Sequence, residues 1–361
     1  MSTRPALPYR RLAVATVVLV YLLIIMGGIV RVTGSGLGCA DSWPSCNGSL
    51  LPAATAQSII EFLHRSISLL AGIAVVALTL STLFWERNRC RLLVAAIAAA
   101  VLYVLQAALG ALVVKYELPG GVVMIHLANA LLLLGVLVYV AVESGRRSTG
   151  PVGAGTADLL DTPRRDAHSA DLRRPTVMPQ QLPQRGASAA TPAAPRFITS
   201  SLAALAAVAT YILALSGAFV VENGAGAACN GWPLCEGGFA LPSGEFAVIN
   251  VAQRVVAGVG VVLLGVVMGI VIRRSRGDRA VRGVAMLVSA LLVVQIAAGA
   301  LVVLLGLPAW VRALHLSLAS AIWASTVAVA VLTRRSDEVR APAVDSQRTE
   351  VLRSPAGVVS A

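Results

Sequence analysis

The sequence predicts an all-α polytopic membrane protein: eight transmembrane helices forming two tandem parallel four-helix bundles, related by a pseudo-two-fold axis along the membrane normal. Three observations predict it. Apolar runs of about 20 residues, the length that crosses a ~30 Å hydrocarbon core as a helix, occur eight times, at roughly 11–31, 59–84, 92–114, 122–142, 197–221, 248–272, 280–305 and 311–333. Arg-rich segments fall in alternate connections. The four-span pattern also repeats, and adding 189 carries His64 to Gln253, Arg65 to Arg254, Gln106 to Gln295, Gly110 to Gly299 and His126 to His315.

A chain of 361 residues could by length be two soluble domains. Composition overrules that, at 57% hydrophobic and 13% charged with a mean hydropathy of +0.81. The first run continues into a patterned loop without an A-x-A cleavage site, so it is expected to stay as a helix and not to be a signal peptide. Arg4, Arg10 and Arg11 precede it. The loop that follows, 33–58, holds no Lys or Arg, whereas the next connection carries RNRCR at 87–91. After four runs comes a segment, 144–196, with seven Pro and eight Arg. Such a composition cannot bury enough apolar surface to fold, and it reads as a solvated linker that includes His168. The second set of four repeats the alternation: loop 222–247 has no Lys or Arg, while 273–282 and 334–340 are rich in Arg.

By the positive-inside rule the Arg-rich segments and both termini are cytoplasmic, which eight spans permit. The net charge of +12 is therefore mostly topology, and it is too scattered for a nucleic-acid surface. The expected domains are an N-terminal bundle, 1–143, a disordered cytoplasmic linker, 144–196, a C-terminal bundle, 197–335, and a disordered cytoplasmic tail, 336–361. Because four is even, both bundles insert with one orientation, as in parallel-repeat membrane proteins.

The outer loops also match: GSGLGCADSWPSCNGSLLP (34–52) against GAGAACNGWPLCEGGFALP (224–242). Cys39 with Cys46, and Cys229 with Cys235, lie on the side where disulfides persist. Each pair would close a small loop beside Trp-Pro. One expectation is a disulfide that shapes a cap over the bundle mouth; the sharper one is a redox-active bond. Cys90 is a lone thiol in a cytoplasmic connection.

His64, His126 and His315 fall early in even-numbered helices, which start at the outer face. Histidines within spans are costly, and mark ion paths, proton relays or cofactors. Facing helices of a four-helix bundle are where haem and metal sites are built. A haem also needs small residues against its ring and cations for its propionates. Gly72, Gly110, Gly135, Gly258, Gly260, Gly265 and Gly299 supply the first need, though small residues are common at any membrane helix interface. Arg31, Arg65, Arg254 and Arg312 supply the second, or else snorkel to headgroups. Glu61 precedes His64 by three residues on one helix face and could exchange protons. Its counterpart, Asn250, cannot. Gln253 offers an amide oxygen in place of an imidazole, a poor ligand for haem iron.

The run VTGSGLGCADSWPSCNGSLLP, then EFLHR, LQAALGALVV and MIHLANA, resembles the haem A synthase family, over nearly all eight spans and both cysteine loops. The resemblance implies oxidation of the C8 methyl of haem O to a formyl group, by successive hydroxylations, for cytochrome oxidase biogenesis. It implies that His64 and His126 ligate the substrate haem O, and that Glu61 assists proton movement or stabilises a cationic intermediate. It implies a haem b cofactor in the second bundle, where only His315 matches the family's histidine pair and Gln253 departs from it. It further implies a haem O synthase and an electron donor as partners in the cell membrane, with self-association left open. Two rivals are a di-haem electron-transfer protein without its own chemistry, which calls for two equivalent bis-histidine sites, and a proton-coupled transporter, which calls for polar residues at the midplane.

Overall fold

The computed structural model describes residues 6–39, 46, 48, 49, 51–145, 197–235 and 242–340. It places eight long helices there: α1 Ala6–Val32, α2 Ala56–Trp85, α3 Cys90–Lys115, α4 Gly120–Ser144, α5 Phe197–Glu222, α6 Glu245–Arg274, α7 Arg279–Leu304 and α8 Ala309–Arg340. All eight are long and apolar enough to cross a membrane. No strand ladder occurs among the described residues; Cys46 and Ser49 form an isolated bridge. Nearly all of the 144–196 linker, with His168, and the tail beyond Arg340 lie outside the described residues.

Local chemistry sets the helix ends. Thr55 caps α2, its Oγ1 accepting from the Ser58 amide at 3.3 Å. Asp278 caps α7, accepting from the Ala280 and Val281 amides at 3.0 and 3.2 Å. The α3–α4 and α7–α8 turns share one device. Leu118 donates its amide back to the Val113 carbonyl, and Leu307 to Val302, each at 2.8 Å. This closes the helix end through two left-handed residues, Glu117 (φ 57°) and Leu118 (64°) in one turn, Gly306 (69°) and Leu307 (61°) in the other. Pro119 and Pro308 then stop the preceding helix and open the next.

Most helices outrun their predicted spans, because a hydropathy pattern marks only the apolar middle. The clearest case is α8, which continues through Arg340, so residues 336–340 belong to the helix and not to a tail. Its last turns are tied down. Ser336 donates to Asp278 at 2.6 Å, Arg335 donates to the Val142 carbonyl at 2.9 Å, and Glu338 pairs with Arg91 at 3.3 Å.

Packing follows the duplication. Helices α1 to α4 contact one another in a ring (α1–α2, α2–α3, α3–α4, α4–α1), and α5 to α8 do the same. Contacts of α1 with α8, α4 with α5 and α4 with α8 join the halves. The densest core lies at that junction, around Val20, Leu131, Leu134, Leu137 and Trp323. Two hydrogen bonds there are related by the repeat. Tyr21 donates to the Ser317 carbonyl at 3.0 Å, and Tyr211 donates to the Ala128 carbonyl at 2.9 Å. The outer faces of α2, α3, α6 and α7 present rows of exposed Leu, Ile and Val, surface that only lipid or another apolar partner satisfies.

Candidate functional site

The outer loops are built onto the second helix of each half. Cys39–Cys46 and Cys229–Cys235 are both disulfide-bonded. The first loop presses so closely on α2 that a Cβ at Gly38 would lie 2.4 Å from the Gln57 backbone, so only glycine fits. Ser58 donates to the Gly38 carbonyl at 2.5 Å. Glu61, 3% exposed, accepts from the Cys39 amide at 2.8 Å. Its other oxygen pairs with Arg65, one turn on along α2. Both carboxylate oxygens are thus engaged.

The second half builds the same roof without a carboxylate. Asn250 donates to the Ala225 carbonyl at 2.7 Å. Arg254 donates to the carbonyls of Gly231 at 2.5 Å and Cys229 at 3.2 Å, and reaches those of Pro233 and Leu234. Where the sequence suggested a propionate clamp, Arg254 holds the disulfide loop. Arg31 has an anionic partner, Glu222 at the end of α5, in a two-point contact at 3.1 and 2.7 Å. Arg312 makes no side-chain hydrogen bond or ion pair among the described residues. It stands three residues before His315, on one helix face.

Beneath each roof the candidate ligands sit against glycines of a neighbouring helix. A Cβ at Gly27 on α1 would lie 3.4 Å from His64 Nε2, and one at Gly110 on α3 would lie 3.3 Å from His126 Cε1. In the second half Gly217 on α5 faces Gln253 Nε2 at 3.6 Å, and Gly299 on α7 faces His315 Cε1 at 3.2 Å. The four predicted positions therefore occupy four equivalent niches, each fitted to a planar side chain. All four side chains are only half-buried. The ring nitrogens His126 Nδ1 and His315 Nδ1 are nevertheless shielded and have no hydrogen-bond partner. Buried polar atoms normally find one; these two stand against the glycines of their niches, Gly110 and Gly299.

Two residues that the sequence reading passed over belong to this set. Gln106, named there only as a repeat position, meets His126 Nε2 at 3.0 Å. Asn129, not singled out at all, donates to Gln106 Oε1 at 2.7 Å and to the Leu102 carbonyl at 2.9 Å. Gln295 meets His315 Nε2 at 3.2 Å, but the Asn129 position is Leu318 there, and Gln295 Oε1 has no partner. The constant spacing of 20 residues from Gln to His in both halves was the available signal.

Comparison with known proteins matches residues 10–327 to the family model of the cytochrome oxidase assembly proteins, COX15-CtaA. The chain belongs to this family. It is 31% identical to a haem A synthase of Symbiobacterium thermophilum over 316 residues, 87% of this chain and 92% of that protein. It is 37% identical over 140 residues to a haem A synthase of Bacillus licheniformis, spanning 36% and 45% of the two chains. It is 25% identical to one of Listeria welshimeri over 331 residues, 91% of this chain and 96% of the relative. Family membership and the eight helices together make this assembly protein a multi-pass membrane protein.

Proposed function

We propose that this chain is a haem A synthase: an oxidoreductase that converts the C8 methyl of haem O to a formyl group by successive hydroxylations, supplying haem A to cytochrome oxidase. The observation that carries this function is the pair of imidazoles, His64 and His126, fitted against Gly27 and Gly110 below a disulfide roof. Haem O brings its own iron, so the protein's share of the work is ligation, orientation and exclusion of water. Its isoprenoid tail suits entry from the lipid, along the apolar outer faces of α2 and α3.

His64 and His126 hold the substrate iron in the N-terminal bundle, residues 1–143. Glu61 pins Cys39, and with it the roof, while balancing the charge of Arg65. Glu61, the nearest carboxylate on α2, assists the proton movement that accompanies the oxidation. In the C-terminal bundle, residues 197–335, His315 would hold a haem b, and Gln253 offers only an amide in place of a second imidazole. When bound there, haem b would supply electron relay between the substrate and an external donor. Arg312, on the same face as His315, is the cation available to a propionate.

Both termini and the 144–196 linker lie on the cytoplasmic side in this scheme, and both disulfide loops lie outside. A haem O synthase is the expected neighbour. A di-haem electron carrier would call for equivalent bis-imidazole pockets, and Gln253 removes that equivalence. Co-expression with a haem O synthase tests the assignment: haem A should accumulate in extracted membranes, whereas haem O or haem B alone would refute it.

A further inference from the structure

The hydrogen bonds around His126 fix which of its nitrogens is free, and the outcome is at odds with simple ligation. The Leu102 carbonyl can only accept, so the Asn129 atom 2.9 Å from it is the amide nitrogen. That same nitrogen lies 2.7 Å from Gln106, so the Gln106 atom facing it is the carbonyl oxygen. The other end of Gln106, its NH2, therefore faces His126 Nε2 at 3.0 Å and donates to it. A neutral imidazole that accepts at Nε2 carries its proton on Nδ1. The one lone pair that could bind iron is thus already occupied by Gln106.

We infer that Gln106 is an internal cap for His126, which holds the ligand nitrogen when the pocket is empty and yields it when substrate iron arrives. Gln106 is a positioning residue: it acts through His126 and need not touch the haem. The inference rests on the proposal that His126 ligates haem O. Such a device suits turnover, because substrate and product are both iron-bound tetrapyrroles and a long-lived His–iron bond would slow product release. In the exchange one iron–nitrogen bond forms as one N–H···N hydrogen bond breaks. No proton changes place, since Nδ1 keeps its own throughout. The arrangement also sets the tautomer in advance, so an arriving iron meets an unprotonated Nε2.

The second half supplies an internal contrast. Gln295 approaches His315 in the same way, but Leu318 replaces the asparagine that would orient it, and Gln295 Oε1 is left unpaired. Gln295 can present either end of its amide to His315. The cap is locked where substrate must come and go, and unlocked in the pocket assigned to a resident group.

The test uses full-length protein in lipid nanodiscs, in a His315→Ala background that leaves His64 and His126 as the pocket imidazoles. The protein is loaded with ferric protoporphyrin IX, and transfer to excess apomyoglobin is followed optically. Gln106→Leu removes the competitor, so haem should be retained roughly two- to tenfold longer, the worth of one buried hydrogen bond. Asn129→Leu should shift retention in the same direction by less. Unchanged or faster loss in Gln106→Leu would overturn the cap, and faster loss would mean that Gln106 supports bound haem instead. Failure of the background protein to take up haem at all would sink the first-pocket assignment itself. A second measurement needs no haem. In 15N-histidine-labelled haem-free protein, His126 should be the Nδ1–H tautomer, and Asn129→Leu should mix in the other. The Nε2–H tautomer in the unsubstituted protein would overturn the cap independently.

Discussion

The amide nitrogen of Gln253 lies over Gly217, where a Cβ would approach it to 3.6 Å. His64 lies over Gly27 in the corresponding niche of the first half. Gly217 leaves beside the amide the room that Gly27 leaves beside a ring. Gln253→His should therefore fit without displacing α5. With haem bound, the variant should show a low-spin bis-imidazole spectrum that the unsubstituted second pocket lacks. An unchanged optical spectrum would mean that this pocket does not hold haem between positions 253 and 315.

The two first-half histidines should be individually indispensable. His64→Ala and His126→Ala should each abolish haem O conversion while leaving the protein folded, because both side chains are half-buried and neither anchors a loop. Haem analysis of membranes checks this, and full conversion by either variant would remove that residue from the site.

Glu61 and Asn250 occupy equivalent positions but differ in charge, so their removal should differ in cost. Glu61→Ala leaves the Cys39 amide and the Arg65 guanidinium without their carboxylate, which should cost about 3–5 kcal/mol as a broken buried ion pair. Asn250→Ala loses neutral hydrogen bonds to the Ala225 and Gly226 carbonyls, worth about 1 kcal/mol. Thermal unfolding in detergent measures both. Equal losses would show that the Glu61–Arg65 pair contributes no more than a neutral anchor.

Gly38 offers a purely steric test. A Cβ there would meet the Gln57 backbone at 2.4 Å, and backbone cannot swing aside as a side chain can. Gly38→Ala should lower stability by about 1–3 kcal/mol, and should loosen the Cys39–Cys46 loop to proteolysis in right-side-out vesicles. A native melting temperature would mean that the loop is not seated on α2 as described.

The fold was legible because lipid imposes a coarse code. Eight apolar runs and alternating Arg-rich connections need no knowledge of packing, and an offset of 190 before the disulfide loop and 189 after it pairs the halves. Helix ends were less legible: hydropathy falls where α8 enters the charged run RRSDEVR, yet hydrogen bonds to Asp278 and Val142 carry the helix on to Arg340. His64, His126, His315 and Gln253 stood out because polar residues in spans are rare. Their surroundings did not. The fit of His64 to Gly27 depends on how α1 and α2 rotate against each other, which no single-helix pattern encodes. Arg254 read as a propionate partner because charge was all the sequence offered; its carbonyl partners in the folded loop were not legible there. Asn129 was invisible for a similar reason: its importance lies in fixing the sense of Gln106, two links from any ligand.

The central claim is the conversion itself, and haem identification tests it most directly. The full-length chain, expressed with a haem O synthase in a host lacking its own haem A synthase, should yield membranes whose extracted haem includes haem A. Haem A should be absent from the matched His64→Ala membranes. Haem O or haem B alone, with the unsubstituted protein folded and present in the membrane, would contradict the account.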